Sequence, residues 1–239
     1  MTIHVLPGDA YVVTFRETGI AGDIIICREC LIDGPVNAPT IDEFFDLRAD
    51  FIEYNYDSSG LSYRSGVASE LRKLDLAPKD SEVCLWFEHE LFCQANLWFC
   101  LSLLHGKPVD VFRAMPKSDG GPNTWKGFGD QTADEFLRAY GERRKLTTAD
   151  ISLGADLWDA YSRSDYVRLI DLSSTWTASF PYLKEVCAAA VDRETKSKGI
   201  LKGIVDSGIV DFPDLFRQFS EQAGVYGFGD SQVKRMLGQ

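Results

Sequence analysis

The chain has 239 residues, of which 45% are hydrophobic, 36 are acidic and 25 are basic, so its net charge is −11. Nucleic acids and anionic membranes are bound through Lys and Arg contacts to phosphate, and because this chain has no basic tract we expect neither as a partner. No export signal is recognisable, and the longest apolar run, 91–104, is shorter than the ~20 residues that span a bilayer. We therefore expect a cytoplasmic protein.

The first half of the chain alternates strand-like and helix-like segments. Four short apolar runs are typical of buried parallel strands: 3–6, 24–27, 83–87 and 109–112. Helices separate them, because Thr40 and Glu43 form a capping box and the segments 65–74 and 91–104 have helical patterns. Parallel strands need crossovers of this length. The pattern predicts an open, mostly parallel, Rossmann-like α/β domain over residues 1–115.

The second half is predicted to be all-helical. Residues 116–131 indicate a linker or a long functional loop, and capping boxes at Thr132 and Thr147 begin the region 132–239. Further helices are expected at 181–191, 199–207, 211–221 and 230–237. The last three have the lengths of a helix-turn-helix-like unit, but seven basic and seven acidic residues balance over 191–239, which favours a packing or protein-contact module over DNA binding. No internal repeat is apparent.

The six cysteines lie mostly in apolar segments, as free thiols do in a reducing compartment. Cys27 and Cys30 form one C-x-x-C pair. No second pair with zinc-ligand spacing follows, and Cys27 ends a predicted strand, whereas a redox motif begins a helix. We interpret both as core residues.

Three ionisable residues stand between the third predicted strand and the apolar helix that follows it. These are Glu88, His89 and Glu90. Open α/β sheets hold their ligands beyond the carboxyl ends of the strands. We therefore interpret His89 as a general acid or base that Glu88 or Glu90 orients. Alternatively, Glu88 or Glu90 is an acid at a helix N-terminus, where the macrodipole favours negative charge.

This cluster would also allow a divalent metal, because it contains one histidine and two carboxylates. The ligand spacing of zinc proteases is missing, so a metal-free site is the favoured interpretation. No motif identifies a cofactor.

Arg48 is predicted to lie in the middle of an apolar helix face. On a helix that begins at Thr40, that face holds Ile41, Phe44, Phe45, Phe51 and Ile52. A buried guanidinium keeps its proton, so it needs an acidic partner or a bound anion. Alternatively, Arg48 reaches solvent past its aliphatic stem.

Asp9, Arg28 and Glu29 follow the first two predicted strands and are candidate ligand-binding residues at the same sheet edge. We expect Glu29, Arg48 and the 88–90 block to come together there. Each also has a structural interpretation: Asp9 would cap a short helix, and Arg28 with Glu29 would form a surface turn.

Several of these motifs together resemble a known family. They are Pro7-Gly8-Asp9, Arg28-Glu29, Arg48, the block Trp86 to Gln94 and the late Gly227-Phe-Gly-Asp230. They are similar, over nearly the whole chain, to the uncharacterised bacterial family catalogued as domain of unknown function 1835. Glu90 stands for the usual Asp, and Cys93 stands where Asp is common. The resemblance implies an α/β domain, a helical C-terminal region, no established activity and this constellation: Asp9, Glu29, Arg48, Glu88, His89 and Gln94.

Two classes of function fit the sequence, and whether the protein is an enzyme stays open. The favoured one is a small-molecule or nucleotide-type site at the sheet edge, with acid/base groups and with Arg48 holding a small anionic ligand. The alternative is a regulatory or interaction protein, bound to a protein partner or to a second copy, whose charged cluster is structural. An open pocket lined by Asp9, Glu29, Arg48 and His89 would support the first class, and a closed, mutually satisfied network would support the second.

Overall fold

A mixed α/β fold is seen in the computed structural model, which describes residues 1–56, 59–118, 120–121, 123–128 and 132–238. The strands are β1 (Thr2–Leu6), β2 (Asp23–Ile26), β3 (Glu82–Leu85), β4 (Asp110–Arg113) and β5 (Arg144–Lys145). They form one sheet in the order β2-β1-β3-β4-β5. The first four strands are parallel, and β5 pairs antiparallel with β4. The predicted mostly parallel sheet is confirmed.

All four predicted strands are present, and their ends differ from the predicted ones by at most two residues. The expectation of an all-helical second half is wrong at β5, which joins the sheet through Arg144 and Lys145. Two exposed basic residues carry no alternation of apolar and polar positions, so the sequence pattern could not reveal this strand.

Eleven α-helices occur in the described ranges. Those of the first half are α1 (Val12–Glu17), α2 (Ile41–Asn55), α3 (Gly60–Tyr63), α4 (Ser69–Asp75) and α5 (Leu91–Leu104). Those of the second half are α6 (Ala133–Gly141), α7 (Thr148–Ser162), α8 (Tyr166–Leu172), α9 (Leu183–Asp206), α10 (Phe212–Ala223) and α11 (Asp230–Met236). A π turn at Arg64–Ala68 joins α3 to α4. None of these helices is both long and apolar enough to cross a membrane.

Helix α9 is continuous where the sequence predicts two helices, at 181–191 and 199–207. The polar stretch between them has no apolar positions that would indicate a buried face. It is nevertheless helical, and pairs one turn apart join Lys196 to Asp192 and Lys198 to Glu194, at 3.5 and 2.9 Å. Such pairs stabilise an exposed helix segment, which explains why the prediction was wrong here.

Helix α5 lies at the centre of the main hydrophobic core. Its buried side chains include Leu97, Trp98 and Leu101, and Gly154 of α7 packs directly against Leu101. The same core cluster contains Ile3 of β1 and Val233 of α11. The predicted domain 1–115 and the predicted helical region therefore contribute to one continuous core.

The predicted linker at 116–131 is described only in part, since residues 119, 122 and 129–131 lie outside the described ranges. Within it, Phe128 is buried in a second aromatic cluster. Its ring lies 4.9 Å from that of Phe136 in α6 and 6.0 Å from that of Trp86 after β3. This part of the loop packs on the α/β half, which brings it to the carboxyl edge of the sheet.

All six cysteines are free, as predicted, and Cys27 and Cys30 do not form a disulfide.

A candidate ligand-binding pocket at the sheet switch point

The pocket opens where the strand order reverses. From β1 the chain crosses to β2 on one side, and it then returns to place β3 on the other side of β1. Crossovers that leave in opposite directions create a crevice at the carboxyl ends of the two strands. A pocket of about 370 Å³ is lined there by Pro7 after β1, Cys30 after β2 and Glu88 after β3. The segment Gly227 to Gln232, just before and in α11, closes its far side.

Glu88 is buried and held by both its side chain and its backbone. Its Oε1 accepts hydrogen bonds from the Tyr11 hydroxyl, at 3.0 Å, and from the backbone N–H of Phe128. Its carbonyl accepts from the Gln94 amide and from Arg113 Nη2, the latter at 3.3 Å. Burial raises the pKa of the Glu88 carboxyl, and the bonds from Phe128 and Tyr11 oppose that rise. The carboxylate is therefore fixed in place in a poorly solvated position.

Glu90 is the N-cap of α5, so the interpretation of an acid at a helix N-terminus holds for this residue. Its Oε1 accepts from the backbone N–H of Cys93 at 2.9 Å. Its Oε2 is buried and has no hydrogen-bond partner among the described residues. Burial, followed by the charge of Glu88, raises the pKa of the Glu90 carboxyl to about 8. One oxygen of this pocket-lining carboxylate thus has no donor in the described part of the chain.

Cys93 completes a group of three acidic side chains. One ligand atom from each of Glu88, Glu90 and Cys93 lies within 4.8 Å of the others, and all three residues are buried. Burial and the two neighbouring carboxyls raise the pKa of the Cys93 thiol well above its usual value. Two carboxylates and a thiol form a donor set that could hold a metal ion, although the sequence favoured a metal-free site.

Two glycines in left-handed conformations lie in close contact with the side chains of Glu88 and Glu90. A Cβ on Gly127, whose φ is +64°, would overlap the Glu88 carboxyl group. A Cβ on Gly227, whose φ is +70°, would overlap the side chain of Glu90. Each glycine begins the tetrapeptide Gly-Phe-Gly-Asp, which occurs at 127–130 and again at 227–230. This recurrence was the sequence signal that could have linked both segments to the site, but four residues are too short to stand out as a repeat.

His89 does not line the pocket among the described residues. Its Nε2 lies 3.4 Å from the carbonyl of Pro116, its Nδ1 has no partner in the described part of the chain, and its ring contacts Tyr182 edge-on at 5.0 Å. Burial and then the charge of Arg113 lower the pKa of His89 to about 3. The imidazole is therefore neutral at ordinary pH, and its contacts are with Pro116 and Tyr182.

Arg113, at the end of β4, is a buried cation that no sequence pattern indicates. Its Nη1 donates to the carbonyl of Ser179, and its guanidinium lies 5.5 Å from the centre of the Phe180 ring. Its Nε has no partner among the described residues. Burial lowers the pKa of Arg113 to about 9, and the nearby Cys93 and Glu90 oppose that change. It provides positive charge beside the acidic group.

Glu29 and Arg48 form a closed network. Arg48 Nη2 lies 3.0 Å from Glu29 Oε2, and the remaining donors of Arg48 reach Glu29 and the carbonyls of Asp33, Pro35 and Cys30. The Tyr63 hydroxyl also donates to Glu29. All five N–H groups of Arg48 are therefore used within the protein, which favours the paired interpretation over an anion-binding one.

The predicted constellation thus divides into parts with different surroundings. Asp9 and Arg28 form a bidentate pair at the surface, with N–O distances of 2.6 and 2.7 Å, and Asp9 does not cap a helix. The side-chain amide of Gln94 donates a hydrogen bond to the backbone carbonyl of Glu88. Of the predicted site residues, only Glu88 and Glu90 line the pocket. Glu29 does not line it, although Cys30, the next residue in the chain, does.

No protein-family model matches the chain, and no curated protein or solved structure matches it either.

Proposed function

We propose that the protein binds a small molecule in the pocket between β1 and β3, and that the bound species places an electropositive group against Glu88 and Glu90. The observation that carries this proposal is the buried Oε2 of Glu90, which lacks a donor in the described structure. A buried acceptor left unpaired costs roughly 1–3 kcal/mol. A ligand that supplies a donor or a cation there would recover that free energy.

The pocket has the size and the lining of a small-molecule site. Its volume of about 370 Å³ suits a small metabolite, and apolar walls from Pro7 and Phe92 accompany polar groups from Tyr11, Ser231 and Gln232. Its place at the strand-order reversal is where open α/β sheets bind ligands.

The sequence indicates a small anionic ligand, but the acidic lining of the pocket favours a different class of ligand. An anion would need a free cation, whereas Arg48 is saturated by its own partners and Arg28 is paired with Asp9. The carboxylates instead favour an amine, a hydroxyl-rich molecule or a metal ion at this end of the pocket.

Finer interpretations belong to the same proposal. The parallel order β2-β1-β3-β4 supports a Rossmann-like sheet. The succession of α9, α10 and α11 supports a helix-turn-helix-like unit that serves packing or protein contact. The shared motifs support the bacterial family named above, and the free thiols support a cytoplasmic location.

Retention of metabolites tests the proposed function. The protein is incubated with a cellular metabolite extract, desalted and denatured, and the released small molecules are identified by mass spectrometry. Ser231→Trp would fill the pocket, and Ser220→Trp, at an exposed serine of α10, is the matched control. We expect a compound that the wild type and Ser220→Trp retain and that Ser231→Trp loses. Equal retention by all three proteins, or no retained compound in any of them, would overturn the proposal.

A further inference from the structure

We propose that Glu88, Glu90 and Cys93 bind one divalent metal ion, with Zn²⁺ the preferred ion, and that its remaining coordination position faces the pocket. This inference rests on the proposed function, because the ion would be the electropositive group that the pocket receives.

The donor atoms are close enough to share one ion. They lie within 4.8 Å of one another. Zinc binds carboxylate oxygen at about 2.0–2.2 Å and thiolate sulfur at about 2.3 Å, so two ligands on one ion lie at most about 4.5 Å apart. Binding one ion would therefore draw the three donor atoms closer together than 4.8 Å.

The orphaned oxygen of Glu90 is an observation independent of this clustering. Glu90 is 4% exposed, its Oε1 is fixed by the Cys93 N–H, and its Oε2 has no partner among the described residues. Protein interiors rarely leave a buried carboxylate oxygen unpaired, because its desolvation is not repaid. A metal ion would occupy the direction that the protein donors leave open.

The two carboxylates are held in place by neighbouring residues, as the carboxylate ligands of metal sites are. Glu88 Oε1 accepts from Tyr11 and Phe128, and Gly127 and Gly227 leave the carboxylates no room to swing toward their own segments. Hydrogen bonds to ligating carboxylates orient them and contribute strongly to metal affinity. The cluster is therefore already ordered without an ion.

The balance of the buried charges also favours a bound divalent ion. Two carboxylates and a thiolate carry three negative charges, and the nearby Arg113 carries one positive charge. A divalent ion brings the sum of these buried charges to zero.

The donor types select the ion. Thiolate ligands favour Zn²⁺ over Mg²⁺ and Ca²⁺, which prefer oxygen-only sites. Three protein ligands with a fourth position open to a pocket are characteristic of zinc sites at which a water or a substrate binds. The open position here would face the walls formed by Tyr11 and Gln232.

Cobalt substitution tests the site in the intact chain. Chelator-treated protein is titrated with Co²⁺, and we expect one equivalent to give a thiolate-to-cobalt charge-transfer band that Zn²⁺ then abolishes. Cys93→Ser should lose the band. Cys30→Ser, which removes another thiol of the same pocket, should keep it. A missing band in the wild type, a band that persists in Cys93→Ser, or a band lost only in Cys30→Ser would overturn the inference.

A second variant keeps the test decisive if Cys93→Ser fails to fold. Glu90→Gln keeps the shape of the side chain, and Zn²⁺ affinity is measured by competition with a chromophoric chelator. We expect the Zn²⁺ affinity to fall by more than about 100-fold, because about 100-fold is the upper range for losing a residue that only hydrogen-bonds to a metal ligand. Unchanged affinity would contradict the assignment. If Zn²⁺ fails to bind while the wild type still retains a metabolite that Ser231→Trp loses, the metal inference fails and the proposed function stands.

Discussion

Glu29 and Arg48 form an ion pair that is almost completely removed from solvent, with side chains 1% and 0% exposed. The pair ties the loop after β2 to the buried face of α2, and Asn96 of α5 donates to the Glu29 carbonyl at 2.8 Å. Three elements of the core therefore meet at a single charged contact.

Replacing Arg48 by Met should destabilise the protein strongly. The change leaves the Glu29 carboxylate buried without its cation, which costs about 3–5 kcal/mol. Arg64→Met is the control, because Arg64 is 45% exposed and its ion pairs among the described residues are with the exposed Asp46 and Asp50. It should cost less than about 1 kcal/mol. Urea unfolding of both variants measures the difference, and similar losses would show that the buried pair contributes no more than a surface one.

Gly227→Ala should impair the pocket as well as the stability. The left-handed φ of +70° already costs a non-glycine residue about 1–2 kcal/mol, and the added methyl group would also displace Glu90. Gly208→Ala is a matched control, since its φ is +89° and nothing lies within 4 Å of the added Cβ. We expect both to lower the urea midpoint and only Gly227→Ala to reduce metabolite retention and Zn²⁺ affinity. Equal binding by both variants would mean that this glycine does not position Glu90.

His4 should make the protein less stable in mild acid. Its ring is buried in β1, where Nε2 lies 3.3 Å from the Ala21 carbonyl and Nδ1 accepts from the Trp86 indole at 3.2 Å. Burial lowers the pKa of His4, the Ala21 bond and Glu82 oppose that change, and Arg143 adds to it. The unfolded chain therefore binds the proton more tightly than the folded one.

The direction of the pH dependence follows from this difference. The contribution of His4 is complete above its unfolded pKa of about 6.5, and it is lost progressively as the pH falls below that value. Urea unfolding at about pH 7.5 and about pH 5.5 should show a larger acid loss in the wild type than in His4→Asn. An identical loss in the two proteins would show that His4 does not titrate on unfolding.

The full chain should not bind duplex DNA appreciably at physiological salt. The basic residues of α11 are already paired, Lys234 with Asp230 at 3.0 Å and Arg235 with Asp33. Few counterions would be released on binding. A mobility-shift titration over a range of salt concentrations tests this, and tight binding with a steep salt slope would contradict it.

The fold could be predicted further than the site. Hydrophobic periodicity and capping boxes act locally, so the strands of the first half and the starts of α2, α6 and α7 were correctly expected. Glu88 and Glu90 were also placed correctly at the carboxyl edge, because strand ends converge there. Arg113 could not be found in this way, since its relation to the carboxylates depends on packing between distant segments. Gly227 belongs to a motif that the sequence shows, but its contact with Glu90 depends on the same kind of packing.

The pocket joins Pro7 to Gln232, so nearly the whole length of the chain separates two of its walls. During synthesis, the acidic group of β3 and α5 is made long before the segment that covers it. The proposed binding pocket is therefore complete only after the segment Gly227 to Gln232 has been made and has packed against Glu90 and Phe92.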